Sequence, residues 1–378
     1  MRSIIARYVA RLLLGRFVLL LLGLAALMLL LQFLADSDQV IAASDRAVRA
    51  LTLYMVLHLP EILAELIPVA ALLAGLVSFA ELARHSELTA IYGGGLSKAG
   101  LGVAILPVVV LIGGFQFLIE DQARPAALAE LRAWGIGDYD PANSQAAATW
   151  LRRGPEILRI QTIDPSQGEL RGVTIFQRDE DGNLVAKIEA AHAMAEGGSW
   201  MLFDAARAEV GSATVETALR MPWSGDLAPG DLEVLAISPP EMPLVDLLRV
   251  VRHPQLGSQP AYRYETWLHE RLASPVTTAM LLLLTVALAR PPRGRATQGT
   301  LIAFGIGIGF VLWTFDGIVL NFGDLGLLPP LLAAWTPVPV IAAIAASIVV
   351  HDHGSRRRSH DLPDRGNGPR LAHAADAD

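Results

Sequence analysis

The stretch LPEILAELIPVAALLAGLVSFAELARHSELTAIYGGGLSKAG, residues 59–100, decides the fold of this chain. Its centre, Leu66–Ala80, carries no charge. A bilayer core about 30 Å thick needs roughly 20 helical residues, so the spanning helix must begin earlier, near Leu59. That start carries Glu61 and Glu65 towards one water interface. At the other end, Arg84, His85, Ser86 and Glu87 are too polar to span. They predict a short helix over 83–96 at the opposite membrane face, stopped by a glycine such as Gly95. A second uncharged run, Ala99–Ile119, then crosses back. Two spans joined by a polar turn make this a membrane protein.

Working outward, uncharged runs recur at Phe17–Ala35, Leu272–Ala289 and Ala296–Phe315, and a last one at about 333–350 follows the Pro329-Pro330 turn. The expected fold is therefore an α-helical membrane protein with six transmembrane helices, three before and three after an inserted domain. Residues 1–120 hold helices 1–3, 121–268 the inserted domain, 269–351 helices 4–6, and 352–378 a polar, disordered tail. Composition agrees. The 378 residues are 53% apolar and 18% charged, against about 25% charged in soluble domains, and mean hydropathy is +0.43. A uniformly soluble enzyme is excluded. The absence of cysteine excludes disulfide staples, thiolate catalysis and thiolate-bound zinc.

Arg and Lys near the span ends set orientation. Arg2, Arg7, Arg11 and Arg16, then Arg84 and Lys98, then Arg290, Arg293 and Arg295, and finally Arg356–Arg358 all fall on one side. The opposite short loop has Arg46 and Arg49 beside Asp36, Asp38 and Asp45. Both termini are read as cytoplasmic and the inserted domain as external. The first run lacks a small-x-small cleavage site and is read as a retained anchor. The net charge of −7 hides this basic rim.

The inserted domain changes period. Pro125–Trp134 reads as a helical exit from the third span. Short, partly alternating runs follow at Glu156–Thr162, Gly172–Gln177, Leu184–Ala190, Trp200–Phe203 and Thr214–Met221, separated by turn formers such as Asp181-Gly182-Asn183. They predict an antiparallel sandwich or jelly roll. Pro239–Val251 reads as a helix leading back to the fourth span.

No catalytic constellation is present. The chain has no G-x-S-x-G elbow and no H-E-x-x-H helix. Gly93-Gly94-Gly95 lacks the spacing of a phosphate loop, so no ATPase site is expected here. His192, the Glu265/His269 pair and the histidines of the tail read as surface or packing residues rather than metal ligands. Arg124 and Arg132 lie eight apart, roughly on one helix face. Arg132 reads either as a phosphate-pairing fork or as an interfacial anchor. Asp316 interrupts the fifth span, which makes it either a functional acid or an interfacial one. Gly305, Gly307 and Gly309 permit close helix packing.

Taken in order, several motifs resemble the LptF/LptG (YjgP/YjgQ) family of lipopolysaccharide-export permeases. They are the 59–100 stretch, Ala123-Arg124-Pro125, Trp267 with Arg271-Leu272 before Pro275, GIGIGF at Gly305–Phe310, and GLLPPLLAAWTP at Gly326–Pro337. The resemblance covers nearly the whole chain. Trp150 ahead of Arg152-Arg153-Gly154, and the run Asp226–His253, are more like its LptG branch. The resemblance implies a periplasmic jelly roll and an inner-membrane heterodimer with an LptF-type paralogue. It further implies an LptB ATPase pair that binds the ATP, so that this chain needs no cofactor, together with the bitopic LptC and an LptA-type bridge. Residues 83–96 become the coupling helix, with Arg84, Glu87 and Gly95 as its contacts. The lipid would meet Gln32, Arg124, Arg132 and Asp316. Two departures weaken a charged clamp: Gly135 stands where a second Arg is expected, and Gln32 where some relatives carry Lys.

Overall fold

The computed structural model describes residues 2–42, 47–134, 148–164, 168–179, 181–196, 199–212, 214–224, 227, 232, 235, 237–289 and 297–360. Helices α1 (Arg2–Ala42), α2 (Ala47–Arg84), α3 (Glu87–Gly93) and α4 (Lys98–Leu118) come first. A single π-turn, Ile119–Ala123, joins α4 to α5 (Arg124–Trp134). Strands β1 (Thr149–Arg153), β2 (Glu156–Asp164), β3 (Glu169–Arg178), β4 (Leu184–Glu196), β5 (Ser199–Glu209) and β6 (Val215–Trp223) form the inserted domain. The chain returns through α6 (Leu244–Arg252), α7 (Ala261–Leu288), α8 (Thr297–Asp324), α9 (Pro330–Trp335) and α10 (Pro337–His360).

Among the described residues, six helices are long and apolar enough to cross a membrane, three on either side of the sheet. Several overrun their apolar cores. Helix α1 has 41 residues, about 60 Å at 1.5 Å per residue, twice a bilayer core. Its extension past Ala35 is held by packing, because Val40 is buried with Ala50 and Tyr54 of α2 and with Leu128 and Leu131 of α5. The Tyr54 hydroxyl also donates to Asp36 at 2.9 Å. The last span starts at Pro330, ahead of the expected 333, and α10 runs on to His360, into the segment read as a tail. Residues 361–378, and Arg290, Arg293 and Arg295, lie outside the described residues.

Helix α2 is the centre of the bundle. One face carries Ile67, Ala70, Ala71 and Ala74, which meet Val9, Leu13, Phe17 and Leu21 of α1 and Leu101, Ile105 and Ile112 of α4. These recur at three- and four-residue steps, the period of one helix face. The opposite face carries Leu72 and Leu76, packed with Leu281, Leu284 and Leu288 of α7, Leu312 of α8 and Ile341 of α10. Gly305 and Gly309 let α8 come this close, since a methyl group at either would overlap Leu76 or Leu72. Gly307 meets nothing within 4 Å.

The six strands form one antiparallel sheet in sequential order. β1 escapes the sequence reading because it has five residues and an exposed Trp150, leaving Leu151 its one buried apolar side chain. Adjacent strands lie about 4.8 Å apart, so β2 and β6 would be roughly 19 Å apart in a flat sheet. Instead Trp223 Nε1 of β6 donates to Glu156 Oε2 of β2 at 3.0 Å. The sheet is curled, and Leu158, Ile175, Ile188, Trp200 and Leu202 fill its interior. It is thus jelly-roll-like in its curl, while its connectivity is a meander. The segment read as one helix from Pro239 divides in two. Pro239–Glu241 is a 3-10 turn, and α6 starts only after Pro243.

A crease crosses this sheet. Strand pairing skips one step at Gln161–Gly172, Gly172–Ala191 and Asp204–Leu219 and two at Ala190–Ala205 and Ala191–Asp204, while the register is unchanged on either side. These positions form a single line over five strands. Gly172 (φ +60°) and Asp204 (φ 51°) on that line have left-handed backbones, so β3 and β5 bend there. A Cβ on Gly172 would sit 2.7 Å from Gln161 Oε1. Gly172→Val should destabilise the inserted domain by about 1–2 kcal/mol, the cost of a left-handed residue with a side chain. Faster amide exchange in β2–β4, with the helices unaffected, is the expected signature. Unchanged exchange would dismiss the crease as a required bend.

Candidate functional site

Two polar regions stand along α2, one at its C-terminal end and one about halfway along it. At one end the chain reverses after Arg84 through His85 and Ser86, whose φ of 61° is left-handed. Helix α3 follows for seven residues, with Leu88 and Ile91 buried beneath it. Gly95 (φ +83°) then turns the chain into α4, matching the stop expected at the glycines. Arg84, His85 and Ser86 are exposed. Glu87 is tied back to the bundle, because the Tyr8 hydroxyl of α1 donates to its Oε2 at 2.7 Å. About two helical turns further along α1, Arg16 pairs with Glu81 of α2. Lys98 Nζ donates to the Ala287 carbonyl of α7 at 2.9 Å. The small polar turn is therefore anchored to α1 and, through Lys98, to α7. The sequence reading missed Tyr8, since nothing in a terminal Arg-rich run marks one tyrosine as the partner of a residue 79 positions away.

About halfway along α2, beside Ala64 and Glu65, a network centres on Arg271 of α7, which is 5% exposed. Its Nη1 donates to the Glu120 carbonyl at 2.8 Å, and its Nη2 to the Pro240 and Met242 carbonyls at 3.0 and 2.9 Å. Asp121 Oδ1 accepts from the Leu244 amide at 2.6 Å, capping α6. The Glu120 side chain accepts from Gln116 and Ser274, both at 2.9 Å. The π-turn puts Glu120 and Asp121 here, and the same two acids give the sequence no helical period to read. Nearby, Arg263 forks onto Asp324, which also accepts from Trp267 Nε1 at 2.8 Å.

The four residues expected to contact lipid are not brought together. Gln32 bonds Asp36 on α1, beside Tyr54. Arg132 pairs with Glu241 at the entry to α6. Arg124 pairs with Glu61 of α2 at 3.3 Å and borders a small cavity of about 130 Å³ with Glu65, Glu120, Glu270 and Arg271. Asp316 lines a larger cavity of about 560 Å³ with Glu65 and Glu270. Arg124 and Asp316 thus stand on adjoining cavities that share Glu65, Glu270 and Ser274. Arg124 and Arg132 both serve protein carboxylates, and Asp316 stands among acids. A ready phosphate clamp is not formed by these four within the chain.

His192 stacks on Phe203 at 4.6 Å between ring centroids, a packing role. No metal-binding group of side chains occurs among the described residues.

With three spans, a curled sheet and three spans in order, and a polar turn after the second, the family model described as "Lipopolysaccharide export system permease LptF/LptG" matches residues 7–350. The chain belongs to the LptF/LptG family. It is similar to the "Lipopolysaccharide export system permease protein LptG" of Escherichia coli (strain K12), 24% identical over 358 residues, covering 89% of this chain and 94% of that protein. The LptG of Haemophilus influenzae (strain ATCC 51907 / DSM 11121 / KW20 / Rd) is 20% identical over 338 residues, covering 88% and 94%. Membership of a permease family places the chain among transporters rather than enzymes, and its six apolar helices make it a multi-pass membrane protein.

Arg271→Met should orphan the Glu120, Pro240 and Met242 carbonyls at once. The expected cost is about 3 kcal/mol, as for a buried charged hydrogen-bonding group. Limited proteolysis should then cut near 239–243, and Arg271→Lys, with no fork, should not restore protection.

Proposed function

We propose that this chain is the LptG-type permease half of an ATP-driven lipopolysaccharide extractor in the inner membrane. Both termini and α3 face the cytoplasm, and the curled sheet stands in the periplasm. The lysines and arginines at the α1, α2 and α4 ends support that orientation, because such residues concentrate on the cytoplasmic side. The LptG names of the relatives favour this branch over the LptF-type paralogue. That paralogue is the proposed partner in the membrane. An LptB-type ATPase pair binds the ATP, so this chain carries no cofactor. LptC and an LptA-type bridge receive the lipid.

The observation that carries the reading is the anchored turn. Helix α3 presents Thr89, Ala90 and the glycines to solvent, a small surface suited to a groove on an ATPase. Glu87 joins that surface to α1 through Tyr8, and Arg16–Glu81 stiffens the same joint. Motion imposed on α3 therefore reaches α1, the most outward-facing of the long spans, with Leu19, Leu22, Leu30 and Leu34 exposed. Arg84 and Gly95 flank the docking surface, one as an exposed charge and the other as the turn that aims α4. At the periplasmic end, Arg124, Arg132 and Gln32 would contact the head group once the partner is present, by exchanging their internal carboxylates for phosphate oxygens.

The test is co-expression with candidate partners and ATP-driven lipid release. Glu87→Lys should cut ATPase recruitment and release by at least about tenfold, equivalent to about 1.4 kcal/mol. Tyr8→Phe should leave recruitment intact and lower release, because it breaks transmission and not docking. If Glu87→Lys recruits and turns over ATP normally, the coupling role fails.

A further inference from the structure

The 560 Å³ cavity lies inside the bundle, walled by α2, α7, α8 and α10. Most of its lining is apolar, with Leu72, Leu281 and Ile341 on three sides. Polarity enters where Glu65, Glu270 and Asp316 bring three carboxyl groups to the wall from three helices. Glu270 is within Coulombic reach of both Asp316 and Glu120. Among the described residues, none of the three wall carboxylates has a hydrogen bond or ion pair. The neighbouring guanidiniums are engaged elsewhere, Arg124 with Glu61 and Arg271 with three carbonyls.

A second, independent feature sits on the same wall. Thr278 is 1% exposed, and its hydroxyl has no partner. Helical threonines ordinarily turn the hydroxyl onto a carbonyl one turn back, as Thr266 and Thr285 of the same helix do. Thr278 instead leaves its hydroxyl unbonded, and the residue lines the cavity.

Carboxylates in a spanning segment without partners are costly and mark an interaction site by default. Phosphate would be repelled there. A lone metal ion would leave the apolar remainder unfilled, because the volume falls within the range of small-molecule pockets, about 300–1,000 Å³. One positive end on an apolar body satisfies both parts of the wall. We propose that this cavity binds the protonated amine of an aliphatic amphiphile between Glu65, Glu270 and Asp316, with its hydrocarbon against Leu72, Leu281 and Ile341. The wall reaches the surface at Phe310 and Trp313 of α8, both more than half exposed, so the ligand enters from the side of the bundle. This site shares Asp316 with the lipid contacts that the family resemblance implies, and it is argued from the chemistry of the cavity.

The experiment uses the full chain in a neutral detergent and follows its unfolding temperature with octylamine, octanol or octanoate. Octylamine should stabilise saturably and the other two should not. Glu270→Gln should raise the half-saturating octylamine concentration by about tenfold, as for loss of one charge-assisted contact. Thr278→Val removes only an unsatisfied hydroxyl. It should keep or raise the ligand-free unfolding temperature while weakening octylamine by about threefold, which separates binding from folding. Native mass spectrometry then distinguishes the sources. Retention of phosphatidylethanolamine over phosphatidylglycerol identifies an amine lipid, and octylamine binding without either identifies a free amine. Equal stabilisation by octanol and octylamine, or an octylamine response unchanged in both variants, overturns the proposal.

Discussion

A single guanidinium holds the two parts of this molecule together. Arg271, on α7, binds the carbonyl of Glu120 at the top of α4 and those of Pro240 and Met242, where the chain leaves the sheet domain. Three backbone oxygens on two separate segments thereby share one planar cation. Only a fork can do this; a lysine ammonium lacks the reach in three fixed directions. Asp121 adds the complementary contact by capping α6. The entry to and exit from the inserted domain are consequently fixed at the same point of the membrane bundle.

The second dependency is α2. Its Ala-rich face accepts α1 and α4, and its leucine face accepts α7, α8 and α10. Because both three-helix halves pack on this one helix, the polar chemistry also gathers along it. Glu81 and the α3 turn stand at its C-terminal end, and Glu61 and Glu65 near its middle. Interior prolines at 60 and 68 leave it continuous, and the bonds they remove lie near Glu61 and Glu65.

Much of the architecture was legible in the sequence because lipid imposes a coarse, strong signal. Apolar runs of sufficient length gave six spans, and the composition shift at 121 gave the insertion. Five of the strands followed from alternation and turn formers, while β1 was too short to show either. The polar turn was legible for the same reason as the spans, since Arg84–Glu87 cannot lie in hydrocarbon. The site chemistry was less so. Arg124 and Arg132 looked like ligands for an anion, yet each meets a carboxylate distant in sequence, Glu61 and Glu241. Asp316 was singled out by its position in a span, but its companions Glu65 and Glu270 come from helices that only packing brings together. Period and spacing act within one helix; these pairings act between helices.

The π-turn at Ile119–Ala123 absorbs one extra residue without breaking the helix, so Lys98 to Trp134 form a single rod of 37 residues. At 1.5 Å per residue it is about 55 Å long. A tilt of about 5° at the Lys98 end would displace the Trp134 end by roughly 5 Å over that length. Lys98 abuts the polar turn, and Trp134 packs with the outer ends of α1 and α2. The rod is a lever whose short stroke at one membrane face becomes a sideways step beyond the other.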